Sequence, residues 1–105
     1  MSVNNDKKGF IPFQGGGLTF IGLETGQVSV TPAATLVLAA ESGRGRVVLS
    51  NMTGVTTIFV SGTSGMAATN GFPIPAGSLV QLEYTGDIYA IVNTVTTSLG
   101  WAALR

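Results

Sequence analysis

From Gln27 onward the chain is built of short runs in which apolar and polar residues alternate, each ending at residues that favour turns. Val28-Ser29-Val30-Thr31 alternates cleanly and stops at Pro32. Thr35 to Ala40 follows, with Leu36 and Leu38 on one face, and Glu41-Ser42-Gly43-Arg44-Gly45 makes a turn. Arg46 to Asn51 is the next strand, its Val47 and Leu49 facing the core. In Thr56 to Val60, Ile58 and Val60 take one side and Thr57 and Phe59 the other. Residues 61–77 hold two prolines and four glycines, which argues strongly against a helix there. Leu79 to Tyr84 resumes as a strand, with Val80, Leu82 and Tyr84 opposed to Gln81 and Glu83. After the turn Thr85-Gly86-Asp87, Ile88 to Val92 is expected to pair back as a hairpin, its inner face taken by Ile88 and Ala90. Asn93 to Thr97 is polar, and Ser98 to Arg105 is the last strand.

Six to seven short strands with turn signals about every dozen residues have the rhythm of an antiparallel β-sandwich or jelly roll. The alanine pairs at 33–34 and 39–40 favour helix by propensity, but Pro32 and Gly43 confine them to a short stretch, and Thr35-Leu36-Val37 suits a strand better. The predicted class is all-β.

Residues 1–26 read differently and set off a domain spanning 27–105. A polar start leads to Phe10-Ile11-Pro12-Phe13, then Gly15-Gly16-Gly17, then Leu18-Thr19-Phe20-Ile21. Three consecutive glycines cost too much chain entropy to sit inside a regular element. The segment therefore reads as an extended N-terminal arm with two apolar anchors and a flexible joint, or as a frayed terminus with one edge strand. Phe10, Ile11, Phe13, Leu18, Phe20 and Ile21 are the candidate partner contacts of the arm. Trp101 and Leu104 join them from the last strand, which has Leu99, Trp101 and Ala103 on one face and Ala102 and Leu104 on the other. A strand apolar on both faces is buried on both or covers its outer face with a neighbour.

Charge changes the picture most. Only 10% of residues are charged, against roughly a quarter in an average soluble domain, and the net charge is zero. No basic excess points to nucleic acid, and the low charge favours association over dispersion. The chain has no histidine and no cysteine, so the favoured ligands of structural zinc are missing and no metal or other cofactor is expected. Between Val28 and the C-terminus only Glu41, Glu83 and Asp87 carry carboxylates, too few to suggest a catalytic constellation, and no enzyme is expected. The polar start Met1 to Lys8 does not read as a signal peptide, and no apolar run is long enough for a membrane helix.

The remaining motifs have plain readings. Gly15–Gly17 is followed by no Lys-Ser/Thr pair and lacks a nucleotide-loop frame. Glu83 and Asp87 flank a turn and could form an acid/base pair, but a hairpin end is normally solvated. With backbone carbonyls the same two could hold calcium, although no dense Asp/Asn loop surrounds them. Arg44 and Arg46 could make a small anion or partner contact, but are expected rather to solvate their turn or pair with Glu41, a surface contact worth little. Asn51-Met52-Thr53 fits a glycosylation sequon that a chain outside the secretory route would not use. Among the aromatic residues, Tyr84 and Trp101 are expected in the core; exposed on one face with Tyr89, Phe59 and Phe72, they would instead suit a glycan-binding surface.

Three segments carry a resemblance: Gly43-Arg44-Gly45-Arg46-Val47-Val48-Leu49-Ser50-Asn51, Gly71-Phe72-Pro73-Ile74-Pro75-Ala76-Gly77 and Gly86-Asp87-Ile88-Tyr89-Ala90-Ile91. In this order, across about residues 28–92, the chain resembles a family of small bacteriophage virion proteins. The match lies in hydrophobic spacing and a few glycine and polar positions. It implies a β-sandwich that decorates or cements a phage head, or serves as a tail or head-fibre module. Such proteins are commonly homotrimers made in the bacterial host cytoplasm and incorporated into the virion. The resemblance makes the major capsid protein the expected partner. The arm would add backbone hydrogen bonds to a neighbour's sheet edge, many copies reinforcing one another. The alternative is a receptor- or glycan-binding module of a fibre or tail.

Overall fold

The computed structural model of the chain describes residues 22–52 and 55–105, and within them the chain is all-β. The strands are β1 (Leu23–Val30), β2 (Thr35–Leu38), β3 (Arg46–Ser50), β4 (Ile58–Ser61), β5 (Phe72–Ile74), β6 (Leu79–Leu82), β7 (Ile88–Ile91) and β8 (Thr97–Leu104). The only helical piece among the described residues is a 3-10 turn at Ala68–Asn70. Two four-stranded antiparallel sheets form, ordered β1-β8-β3-β6 and β2-β7-β4-β5. Every connection crosses from one sheet to the other except β4 to β5, which stays in the second sheet.

The period-2 pattern decides which residues meet. Val30, Val47, Leu49 and Leu99 of the first sheet and Ile58, Ile74 and Ala90 of the second are fully buried in one shared cluster, joined by Val92 just beyond β7. Val28, Val80, Leu82 and Trp101 pack against it from the first sheet. Burying each large aliphatic side chain contributes about 1.5–3 kcal/mol, and this cluster is what holds the sheets face to face. β8 lies between β1 and β3, pairing Val28 with Leu99 and Leu49 with Trp101. Gly26 sits opposite Trp101, and a Cβ there would come within 2.6 Å of the indole ring. The bulk of Trp101 therefore requires the absence of a side chain at position 26.

Several expectations need correction. Val37, rather than Leu36, is buried in β2, because the β2–β7 register shifts between Leu36 and Leu38. A bulge of this kind turns two successive residues toward one side, so Val37 and Leu38 both reach the core while Leu36 is exposed. Residues 79–92 are not a hairpin: β6 belongs to the first sheet and β7 to the second. The intervening residues 83–87 cross the gap of about 10 Å between packed sheets. Eight strands are present among the described residues, where six to seven were expected. The additional one, Phe72–Ile74, contains Pro73, and it lies at the edge of its sheet, where a missing N–H is tolerated. β1 begins at Leu23, five residues before the alternating run that announced it.

Since all strand pairs are antiparallel, the connections fall alternately at two ends of the molecule. A buried polar side chain pins each end. At one, Arg44 is only 2% exposed, and its guanidinium donates to the carbonyls of Ala39 (3.0 Å), Tyr84 (3.1 Å) and Gly86 (2.6 Å). This joins the β2–β3 connection to the β6–β7 connection, where the Glu41 amide also donates to the Thr85 carbonyl. Arg44 is thus no surface cation, and it meets Glu41 through its backbone amide rather than through a side-chain ion pair; the loop carbonyls satisfy its planar fork.

At the other end Asn51 is fully buried and donates through Nδ2 to the carbonyls of Thr56 (2.9 Å) and Ile74 (2.8 Å). Its backbone exchanges hydrogen bonds with the β5–β6 turn, donating to Ser78 and accepting from Gly77. Gly77 holds that turn with φ of 84°, a conformation that favours glycine.

Candidate functional site

The two ends present different surfaces. The seven charged residues from Gly22 onward are Glu24, Glu41, Arg44, Arg46, Glu83, Asp87 and Arg105. All lie at the end formed by the start of β1, the end of β8 and the β2–β3 and β6–β7 connections. Arg105 donates to both oxygens of Glu41 and, at 2.8 Å, to Glu24. Arg46 pairs with Glu83 at 2.8 Å. The hydrogen bonds from Arg105 hold the Glu41 carboxyl below its ordinary range, and the two carboxylates raise the Arg105 guanidinium further. Arg105 also continues the β1–β8 ladder through reciprocal backbone bonds with Gly22.

Among the described residues, the opposite end carries no charge. The β1–β2, β3–β4, β5–β6 and β7–β8 connections there supply Pro32, Ala33, Met52, Val55, Pro75, Ala76 and Val95 among Ser, Thr, Asn and Gly. Val55 is 76% exposed, and Met52 and Val95 are about half exposed. This surface can lose its water at low cost, because it contains no ion to strip.

The outer face of the first sheet is also poor in charge. Ser50, Gly100 and Gln27 form one row across β3, β8 and β1, and Val48, Ala102 and Thr25 the next. Small side chains leave a shallow groove of about 240 Å3 over Gly100 and Ala102. Leu104 lies at the charged end of this face, half-buried between Leu23 and Arg46. Trp101 points the other way, into the core, so the structure does not bring these two candidate contacts onto one surface. Phe10, Ile11, Phe13, Leu18, Phe20 and Ile21 lie outside the described residues.

A third feature flanks β6, the edge strand of the first sheet. Val60, Ser61, Gly62, Phe72, Leu82, Tyr84 and Ile88 line an apolar cleft of about 250 Å3 between β6 and the edge of the second sheet. Phe72 is 60% exposed and Tyr84 41%, so Tyr84 is a wall of this cleft and not the core residue its alternation suggested. The strand ends at Leu82, two residues before Tyr84, and the alternation of β6 no longer applies there. On the other side of β6 a wider hollow of about 440 Å3 is lined by Arg46, Gln81, Leu82 and Glu83. Tyr89 lies on the outer side of the second sheet, beside Leu36, with Phe59 on the same side opposite Ile91 and Pro73.

The two carboxylates considered as a pair have separate occupations. Glu83 binds Arg46, while Asp87 Oδ1 accepts from the Ala40 amide at 2.7 Å. Among the described residues, no cluster of three acidic, histidine or cysteine side chains could hold a metal ion, and no helix is long and apolar enough to cross a membrane. Sequence patterning did not reveal the uncharged end, although the signal was present: no charge occurs in residues 25–40, 47–82 or 88–104. Only the topology gathers the loops of those stretches into one place. Comparison with protein-family models, curated proteins and solved structures gave no match.

Proposed function

We propose that this chain is a structural virion protein of the small bacteriophage β-sandwich kind, a capsid decoration protein that binds and stabilises the coat lattice. The observation that carries the proposal is the division of charge between the two ends. A charge-free end with Val55, Met52 and Val95 exposed suits burial against a protein lattice. The major capsid protein is its partner, and the working unit is a homotrimer incorporated into the virion. The strand order supports this reading. Two four-stranded sheets ordered β1-β8-β3-β6 and β2-β7-β4-β5, with nearly every connection crossing between them, support reading the fold as a jelly roll, an architecture used by capsid and lectin domains. Phe10, Ile11 and Phe13 give the arm a second attachment point, and repetition over a shell multiplies weak contacts into stable occupancy.

The cleft between Phe72 and Tyr84 favours a second reading, a glycan- or receptor-binding module, because exposed aromatic rings can stack on sugar faces. One pair of experiments separates the two. The purified chain is mixed with undecorated empty phage heads and its copies on the sedimented shells are counted; the same protein is applied to a glycan array. Saturable shell binding, lost when lysine replaces both Val55 and Val95, supports decoration. Glycan binding lost in Phe72→Ala, with no shell binding, replaces it with the second reading.

A further inference from the structure

We propose that β6 receives an added strand, and that Leu18–Ile21 of a second copy of this chain supplies it. The argument begins with the four sheet edges. Natural proteins guard edge strands with proline, charge, bulges or very short length, because an open row of backbone groups pairs with other chains. β5 is three residues long and contains Pro73. β2 carries the bulge between Leu36 and Leu38. β1 carries Thr25, Gln27 and Ser29 along its outer side, and the charge of Glu24 near its start. β6, four residues long with the sequence Leu-Val-Gln-Leu, carries no proline, charge or bulge, and among the described residues it pairs only with β3.

Both flanks of β6 are open as well. An added strand needs room for side chains on each face of the sheet, and the hollows beside β6 lie on both. The inner one is apolar, walled by Val60, Phe72, Leu82 and Ile88. Leu18-Thr19-Phe20-Ile21 alternates so that Leu18 and Phe20 share one side of an extended strand. Placed beside β6, these two enter the inner cleft, while Thr19 and Ile21 lie over the outer face near Leu79 and Gln81.

The tether decides which copy donates. Gly22 is fixed by its backbone bonds to Arg105 at the β1 edge. β6 lies three strands away in the same sheet, so a strand added beyond it is about four spacings, or about 19 Å, from β1. Ile21 is one peptide unit, about 3.8 Å, from Gly22. Leu18–Ile21 therefore cannot lie along the β6 of its own chain. Donor and acceptor occupy opposite edges of one sheet, which makes the contact head-to-tail and closes a ring when the rotation between copies allows.

The inference rests on the sheet edges and deepens the assembly reading without depending on the coat lattice. Its test uses the full chain in solution, with mass read by light scattering after size exclusion. The wild type is expected at a multiple of the chain mass. Phe20→Asp, which spoils the donor, and Phe72→Asp, which spoils the acceptor, are each expected at the mass of one chain. Phe72 is mostly exposed, so its replacement leaves the core intact, and circular dichroism verifies this for both. An equal mixture of the two variants restores one good contact and is expected to run at two chain masses and no more. A monomeric wild type, Phe20→Asp retaining the wild-type mass, or a mixture that stays monomeric overturns the proposal. None of these outcomes tests shell binding through Val55 and Val95, which lie at the other end.

Discussion

The two ends of the molecule use the same device and carry opposite surfaces. Each is locked by one buried polar side chain that satisfies backbone carbonyls: Arg44 with three at the charged end, Asn51 with two at the uncharged end. Around Arg44 the surface is a web of ion pairs among Glu24, Glu41 and Arg105, with Arg46 and Glu83 nearby. Around Asn51 it is Val, Met, Pro and Thr. Charged pairs keep a surface hydrated, and a charge-free surface is cheap to desolvate. The Asn51 lock ties the β3–β4 connection to the β5–β6 turn at an end poor in regular structure.

The largest expected effect is at the charged lock. Arg44→Ala leaves the carbonyls of Ala39, Tyr84 and Gly86 without their donor and is expected to cost about 3 kcal/mol or more in urea unfolding. Arg44→Lys should recover less than half of that, since a single ammonium cannot reproduce the three-way fork. A loss below about 1 kcal/mol for Arg44→Ala would remove the lock from the argument.

Asn51→Ala comes next, at about 2 kcal/mol. Asn51→Asp should be worse than alanine, because a carboxylate would face the Thr56 and Ile74 carbonyls with nothing to donate. If aspartate proves milder than alanine, the orientation assigned to the amide is wrong.

The ion pairs at the charged end should show a smaller, pH-dependent effect. Arg105 lowers the Glu41 carboxyl below its ordinary value of 4.5, so the folded state binds that proton more weakly than the unfolded state does. The pair's contribution is fully present above about pH 4.5 and is lost as pH falls through the lower folded value. Urea midpoints measured between about pH 6 and about pH 3 should fall, and Arg105→Gln should flatten the part due to Glu41. An unchanged slope in Arg105→Gln would place the acid sensitivity elsewhere.

The smallest effect on stability is expected at the uncharged surface itself. Val55→Lys should move the unfolding free energy by no more than about 0.5 kcal/mol, since Val55 is largely exposed. The same substitution is expected to weaken attachment to a coat lattice. That combination, fold intact and docking reduced, distinguishes a binding surface from loops that are merely apolar. A fold destabilised by Val55→Lys would show instead that Val55 is packed.

Alternation carried much of the secondary structure. Val47, Leu49, Ile58, Val60, Leu99 and Ala103 are buried as their spacing implies, because side chains on a strand have no choice but to alternate. The same rule was blind to three things. It could not see the bulge that turns Val37 inward, since a bulge is a relation between β2 and β7. It read residues 79–92 as a hairpin, because a short turn between two strands looks alike whether they pair or cross between sheets. It left Arg44 on the surface, because a charge is expected there unless backbone carbonyls from distant loops converge on it.

What the sequence by itself determined is therefore the all-β character and which face of most strands looks inward, both local consequences of period and turn chemistry. It also determined the scarcity of charge. Where that charge lies was decided only by the tertiary structure. The antiparallel topology gathers residues 31–34, 51–52, 55–57, 75–78 and 92–96 at one end and every charged side chain among the described residues at the other. Tertiary structure also left β6 as an edge between two hollows, because an edge exists only once a sheet has an order.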